Sequence, residues 1–199
     1  MVQRIMMLGA AVLILAAVPA AQAGCPGCDK IAKTGHGFCC GKGKVFGVSL
    51  TSKKLFKSLE GQEIDPSKIH CPGCKKAYKT NGKCEHCNVE VANGKLYHSW
   101  VSHSLAVGKQ VDAKKAAYCG GCKKAYEENG RCDHCSVGFV AGRMFKDTDM
   151  YKHAVAALTT LSKAAEAAGH CESCAIAMVT NGTCEKCNVS FKDGNKETG

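Results

Sequence analysis

Sixteen cysteines stand along this chain of 199 residues in an order that can gather sulfurs four at a time. They fall, with none left over, into Cys25, Cys28, Cys39, Cys40; Cys71, Cys74, Cys84, Cys87; Cys119, Cys122, Cys132, Cys135; and Cys171, Cys174, Cys184, Cys187. The last three quartets share the spacing C-x2-C-x9-C-x2-C. A C-x2-C pair turns the chain back on itself and aims two sulfurs at one point, so two such pairs suit a tetrahedral ion. Zn²⁺ is the expected ion, and a centre closed by four thiolates keeps no open position for a substrate. Three or four Zn²⁺ are therefore expected.

The first quartet departs from the pattern. Aligning Cys39 with Cys84 puts Lys42 where Cys87 should stand, so Cys40 comes two residues early. Adjacent cysteines splay apart, and both can hold one ion only with a strained backbone. His36, three residues before Cys39, offers a competing fourth ligand. A weaker or different first site is expected, built on Cys25, Cys28 and Cys39 with Cys40 or His36. Elsewhere histidine is not required by the pattern: His86 and His134 lie inside closing pairs where the fourth repeat has Lys186, and His70 and His170 precede opening pairs where the third has Tyr118. They read as exposed side chains. No C-x2-C-H occurs, so covalent haem is not supported.

Charge agrees with metal. The chain carries +10, and residues 1–23 contribute only Arg4 to it. Four zinc centres of four thiolates, at −2 each, would bring the remainder close to neutrality. Lys75, Lys76, Lys123 and Lys124 follow opening pairs, either easing the gathering of thiolates or simply solvated.

Residues 1–23 read as a secretory signal peptide: Arg4, an apolar run from Ile5 to Val18, Pro19, then Ala21-Gln22-Ala23. The run of 14 residues is too short to span the roughly 30 Å of a bilayer core, so no membrane span is expected. A lipoprotein signal is the rival because Gly24-Cys25 follows, but Gln22 occupies an aliphatic position of such signals. The protein is expected to be secreted or periplasmic. In that oxidising space an even cysteine count also suits disulfides, so disulfides, rubredoxin-like iron and thiol redox chemistry stay open beside zinc.

The elements that must position the cysteines repeat with them. Cys71–Tyr97 and Cys119–Phe145 agree at 14 of 27 positions, and quartets begin 46, 48 and 52 residues apart. Each unit reads as an opening pair, a short extended piece such as Lys75–Lys79, a turn such as Asn81-Gly82, a closing pair, then a hairpin. Asn93-Gly94 is a strong tight-turn signal, and Ala141-Gly142 a weaker one. Helices follow: Lys53–Leu59 capped by Ser49 or Thr51, Trp100–Val107 capped by Ser99, and about Thr148–Ala168, whose stripe Met150, Ala154, Leu158, Leu161, Ala165 is a packing face. The fourth unit is a truncated copy or terminal cap. With 12 aromatic residues in all, several small metal-held units are expected rather than one large core. The organisation is thus a signal peptide (1–23), a divergent four-cysteine unit with helix (24–69), two units each followed by a helix (70–117 and 118–169), and a truncated C-terminal unit (170–199).

These units resemble zinc-ribbon proteins, which place paired CPxC-like knuckles on short hairpins. The resemblance covers residues 25–46, 71–97, 119–145 and 171–191 and departs from the family in lacking Gly after most knuckle cysteines. It implies a small metal-stabilised α+β fold, an array of four zinc-ribbon-like units joined by helices. Family members bind nucleic acid or protein, or stabilise larger proteins. No Walker loop, nucleophile elbow or dinucleotide fingerprint is present. The expectation is an exported, non-enzymatic zinc-binding repeat protein with a protein partner, serving interaction, scaffolding or metal holding. Export and the lack of an interleaved basic-aromatic run argue against nucleic acid. The alternatives are a disulfide-rich structural protein or a C-x2-C thiol oxidoreductase.

Overall fold

The computed structural model describes residues 25–117 and 119–197, so the segment expected to be a signal peptide, 1–23, lies outside the described residues. The first unit runs α1 (Pro26–Thr34), β1 (Gly37–Cys39), β2 (Lys42–Val45), β3 (Val48–Leu50) and α2 (Lys53–Leu59). The second has β4 (Gln62–Glu63), α3 (Pro72–Thr80), β5 (Lys83–Cys84), β6 (Val89–Ala92), β7 (Lys95–Tyr97) and α4 (Trp100–Ala106). The third has β8 (Lys109–Gln110), α5 (Ala113–Ala116), α6 (Gly120–Glu128), β9 (Arg131–Cys132), β10 (Val137–Val140), β11 (Arg143–Phe145) and α7 (Thr148–Ala167). The fourth closes with α8 (Glu172–Thr180), β12 (Thr183–Cys184), β13 (Val189–Lys192) and β14 (Asn195–Lys196). All sheets are small and antiparallel.

The piece expected to be extended, Lys75–Lys79, is helical. Pro72 occupies the first helical turn, where its missing N–H costs nothing, and Lys-Lys-Ala-Tyr-Lys are adequate helix formers. Asn81 then stops the helix in the left-handed region at φ 51°, as do Asn129 at 54° and Asn181 at 53°, with Gly35 in the first unit. The Asn side chain has a second task that Gly35 cannot perform. Oδ1 of Asn81, Asn129 and Asn181 accepts from the N–H of Asn93, Ala141 and Asp193 at 2.8, 2.7 and 2.7 Å. One residue therefore ends the helix and holds the hairpin turn.

Those turns are Phe46-Gly47, Asn93-Gly94, Ala141-Gly142 and Asp193-Gly194, with positive φ at both positions. This is the two-residue geometry whose twist matches antiparallel strands. Strand β4 adds to β7 and β8 to β11, giving the middle units four strands in the orders β4-β7-β6-β5 and β8-β11-β10-β9. The fourth unit's sheet has three strands, because only 168–170 separate α7 from Cys171.

The helices Lys53–Leu59, Trp100–Ala106 and Thr148–Ala167 form as expected to within a residue, and Ser99 caps the second as expected. The cap of the first is Ser52, not Ser49 or Thr51: its hydroxyl accepts from Leu55 N–H at 2.9 Å. On α7 the buried face is Ala154, Ala157, Thr160, Leu161 and Ala164, while Met150 is 52 % exposed. The face turns towards alanines because α4 and α8 both pack on α7, and small side chains allow that approach.

One large core does exist, contrary to the expectation from few aromatics. Leu55, Phe56 and Leu59 of α2, Trp100, Val101 and Leu105 of α4, Leu161 of α7 and Val179 of α8 share it with hairpin residues such as Val45 and Phe145. The helices do not merely join the units; they gather them. Trp100 Nε1 donates to Met178 O at 3.1 Å, Ser99 Oγ to Val179 O at 2.8 Å, and Ser102 Oγ to Leu59 O at 2.8 Å. Carbonyls at the ends of α8 and α2, left over by helix geometry, are thereby satisfied by α4.

Candidate metal centres

In each unit the opening pair sits at a helix N-terminus, with the first cysteine as N-cap, and the third cysteine sits on the strand that follows. The third and fourth ligand positions are set by a hairpin loop. In the second unit Cys84 pairs with Val89, leaving a four-residue loop that carries Cys87. Helix end and loop thus face each other, and within every quartet all four Sγ lie within 4.8 Å of one another. The four clusters fit a zinc-ribbon-like repeat, and each can hold a metal ion.

In the second, third and fourth clusters the sulfur spacing suits a tetrahedral metal ion. Thiolates about 2.3 Å from a tetrahedral centre lie about 3.8 Å apart. Cys71 and Cys84 are 3.8 Å apart, Cys119 lies 3.7 Å from Cys132 and 3.8 Å from Cys135, and Cys171 lies 3.8 Å from Cys184 and 3.7 Å from Cys187. All sixteen cysteines are unbridged.

In the second and third units the glycine inside the opening pair leaves room for the third sulfur. A Cβ on Gly73 would stand 2.8 Å from Cys84 Sγ, and one on Gly121 would stand 2.9 Å from Cys132 Sγ. The fourth unit has Ser173 at this place. Cysteine spacing alone does not point to this glycine; its recurrence inside three of the four opening pairs is the signal that could have found it.

Helix geometry also prepares the sulfurs. Cys122 N–H donates to Cys119 Sγ at 3.3 Å. Such backbone donation, with sulfur neighbours assisting, holds the Cys71 and Cys119 thiols down at about 6 and Cys171 at about 7. Burial pushes Cys74, Cys122 and Cys174 up. In the first unit a hydrogen bond shared by Cys25 and Cys39 holds Cys25 down at about 6 and pushes Cys39 up to about 12. Each cluster therefore has one sulfur that gives up its proton readily and at least one that holds it more firmly.

The first cluster differs as its sequence does. Cys39 pairs with Lys42, so the loop has shrunk to Cys40-Gly41, two residues instead of four. Cys40 takes φ 52°, a left-handed conformation that costs a cysteine energy. This is how adjacent cysteines reach one point. The sulfurs crowd, with Cys25 at 3.0 Å from Cys39 and 3.5 Å from Cys40. Cys84, Cys132 and Cys184 are buried in the other clusters, whereas no member of the first quartet is. His36 is not drawn in: its ring packs on Phe56 at 5.5 Å.

His86 and His134 are exposed as expected, yet they border the sulfurs. Nδ1 of His86 lies 3.6 Å from Cys87 Sγ, and that of His134 lies 3.5 Å from Cys135 Sγ. An N–H there can donate to a thiolate and share its charge. Lys75, Lys76, Lys123 and Lys124 are exposed on their helices.

No family model, curated protein or solved structure matches the chain. Among the described residues no helix is long and apolar enough to cross a membrane.

Proposed function

We propose that each quartet holds one Zn²⁺ as a closed structural centre and that the chain is an exported, non-catalytic zinc-binding repeat protein. Its role is to present a rigid metal-braced surface to a protein partner or to hold metal outside the cytoplasm. The convergence of four sulfurs to within 4.8 Å of one another in every unit carries this reading. Four thiolates satisfy Zn²⁺ completely, so the ion braces helix end against hairpin and has no position left for chemistry. The signal-like residues 1–23 support export to a secreted or periplasmic space.

Native mass spectrometry of the protein without residues 1–23 tests the reading. The expected mass is that of the chain plus four zinc ions. A metal-free chain lighter by two hydrogens per sulfur pair would replace it with the disulfide reading.

A second reading rests on one observation: a C-x2-C pair at a helix N-terminus is also the placement that activates redox thiols. Turnover of a disulfide substrate such as insulin by the metal-loaded protein, lost on replacing those cysteines, would favour a thiol oxidoreductase.

A further inference from the structure

The first three hairpin turns meet around an open cleft of about 610 Å³ whose lining contains no cysteine. Its size is that of a small-molecule site. Arg143, the first residue of β11, reaches into it. Its guanidinium lies over the Phe46 ring at 5.6 Å, and Nη1 donates to the carbonyls of Ala106 at 3.1 Å and Gly108 at 2.9 Å. Two carbonyls position the cation without neutralising it.

Comparison of the repeats shows what is missing. In the second unit the equivalent cation, Lys95, stands opposite Glu63 across the strand pair, and the two form an ion pair at 2.9 Å. In the third unit Arg143 stands opposite Gln110, a neutral residue. Glu60 also lines the cleft but makes no ion pair with Arg143 among the described residues. A partly buried guanidinium that keeps its charge in this setting lacks the acid that its sister unit supplies.

Phe46 is a second, independent anomaly. It takes φ 48° at a turn position where the second unit has Asn93, although a bulky side chain is strained there. The strained turn puts an aromatic face beneath the guanidinium. His36, Glu60 and Lys95 line the same cleft, but Lys95 is already paired with Glu63, so Arg143 is the cation there without an acidic partner among the described residues.

We propose that this cleft binds a small molecule bearing an oxyanion, carboxylate or phosphate, through Arg143. Guanidinium donors not used by the two carbonyls would meet the oxyanion, which takes the place that Glu63 fills beside Lys95. The site is independent of the zinc reading, since it uses no cysteine.

Calorimetric titration of the full metal-loaded protein with inorganic phosphate and with citrate tests it, the two arms separating phosphate from carboxylate recognition. Saturable binding of at least one is expected, weakened tenfold or more by Arg143→Gln. Gln110→Glu recreates the acid of the second unit and should abolish binding while leaving metal content and melting temperature at or above wild type. This variant decides the matter if Arg143→Gln fails to fold. Absence of saturable binding of both anions to wild type, or wild-type affinity in Gln110→Glu, overturns the proposal.

Discussion

Cys40 concentrates the chemistry of the first centre in one strained residue. Its left-handed backbone and the 3.0 Å crowding of Cys25 on Cys39 mean that a metal ion must push this cluster open before it can bind. The cluster is also the least buried. Competitive chelator titration should therefore find three tight ions and one looser ion. Cys40→Ser should remove the loose ion alone, whereas His36→Ala should leave it in place because His36 packs on Phe56. Four equally tight ions would contradict this account. At the same scale, Asn129 joins the end of α6 to the turn at Ala141. Asn129→Ala loses that hydrogen bond and places a Cβ-bearing, non-bonding residue at φ 54°, at a cost of about 1–2 kcal/mol in denaturant unfolding. Asn129→Gly relieves the backbone but not the lost bond, so it should fall between wild type and alanine.

Among the elements, α4 carries the most structural responsibility for its length. Ser99 both caps it, accepting from Ser102 N–H at 3.3 Å, and donates to the buried carbonyl of Val179. Ser99→Ala removes the cap and leaves that carbonyl without its partner, an expected loss of about 1–3 kcal/mol measured by denaturant unfolding. The loss should appear as weaker amide protection at the end of α8 as well as in α4. Protection lost in α4 alone would show that the contact with α8 adds nothing. On the other side of α8, Ser52 Oγ donates to Glu172 Oε1 at 2.6 Å and Lys54 pairs with Glu172 at 3.2 Å, tying α2 to the start of that helix. The exposed pair itself contributes little; the shared apolar face supplies most of the attraction.

Over the whole molecule, stability divides into two kinds of region. Among the described residues the central core contains no cysteine, while one small cluster in each of the second, third and fourth units includes cysteines among its few buried residues, as in Ala77, Cys84, Val89 and Val91. Metal removal under reducing conditions should therefore abolish amide protection around β5–β6, β9–β10 and β12–β13 first. Ala154–Ala164 on α7 should keep most of its protection, and hydrogen exchange followed by mass spectrometry resolves the two. Simultaneous loss everywhere would mean that the core cannot stand without the ions.

The features legible along the chain are local and periodic: the quartets, the cap at Ser99, the turn at Asn93-Gly94, and the extents of three helices. These follow from spacing, capping chemistry and positive-φ preferences, each settled by a few neighbouring residues. The helix after each opening pair is also written locally, in Pro72 and Asn81, yet it reads as strand and turn because so short a segment shows little periodicity. Tertiary packing, by contrast, selects Cys40 rather than His36 for the first cluster, because the choice turns on a loop shortened by two residues and a strained φ. It also selects which face of α7 is buried, because contact with α4 and α8 outweighs the hydropathy of Met150. The shared core and the cleft at Arg143 arise in the same way: residues from separate repeats, each ordinary in its own unit, acquire their energetic meaning only when the chain brings them together.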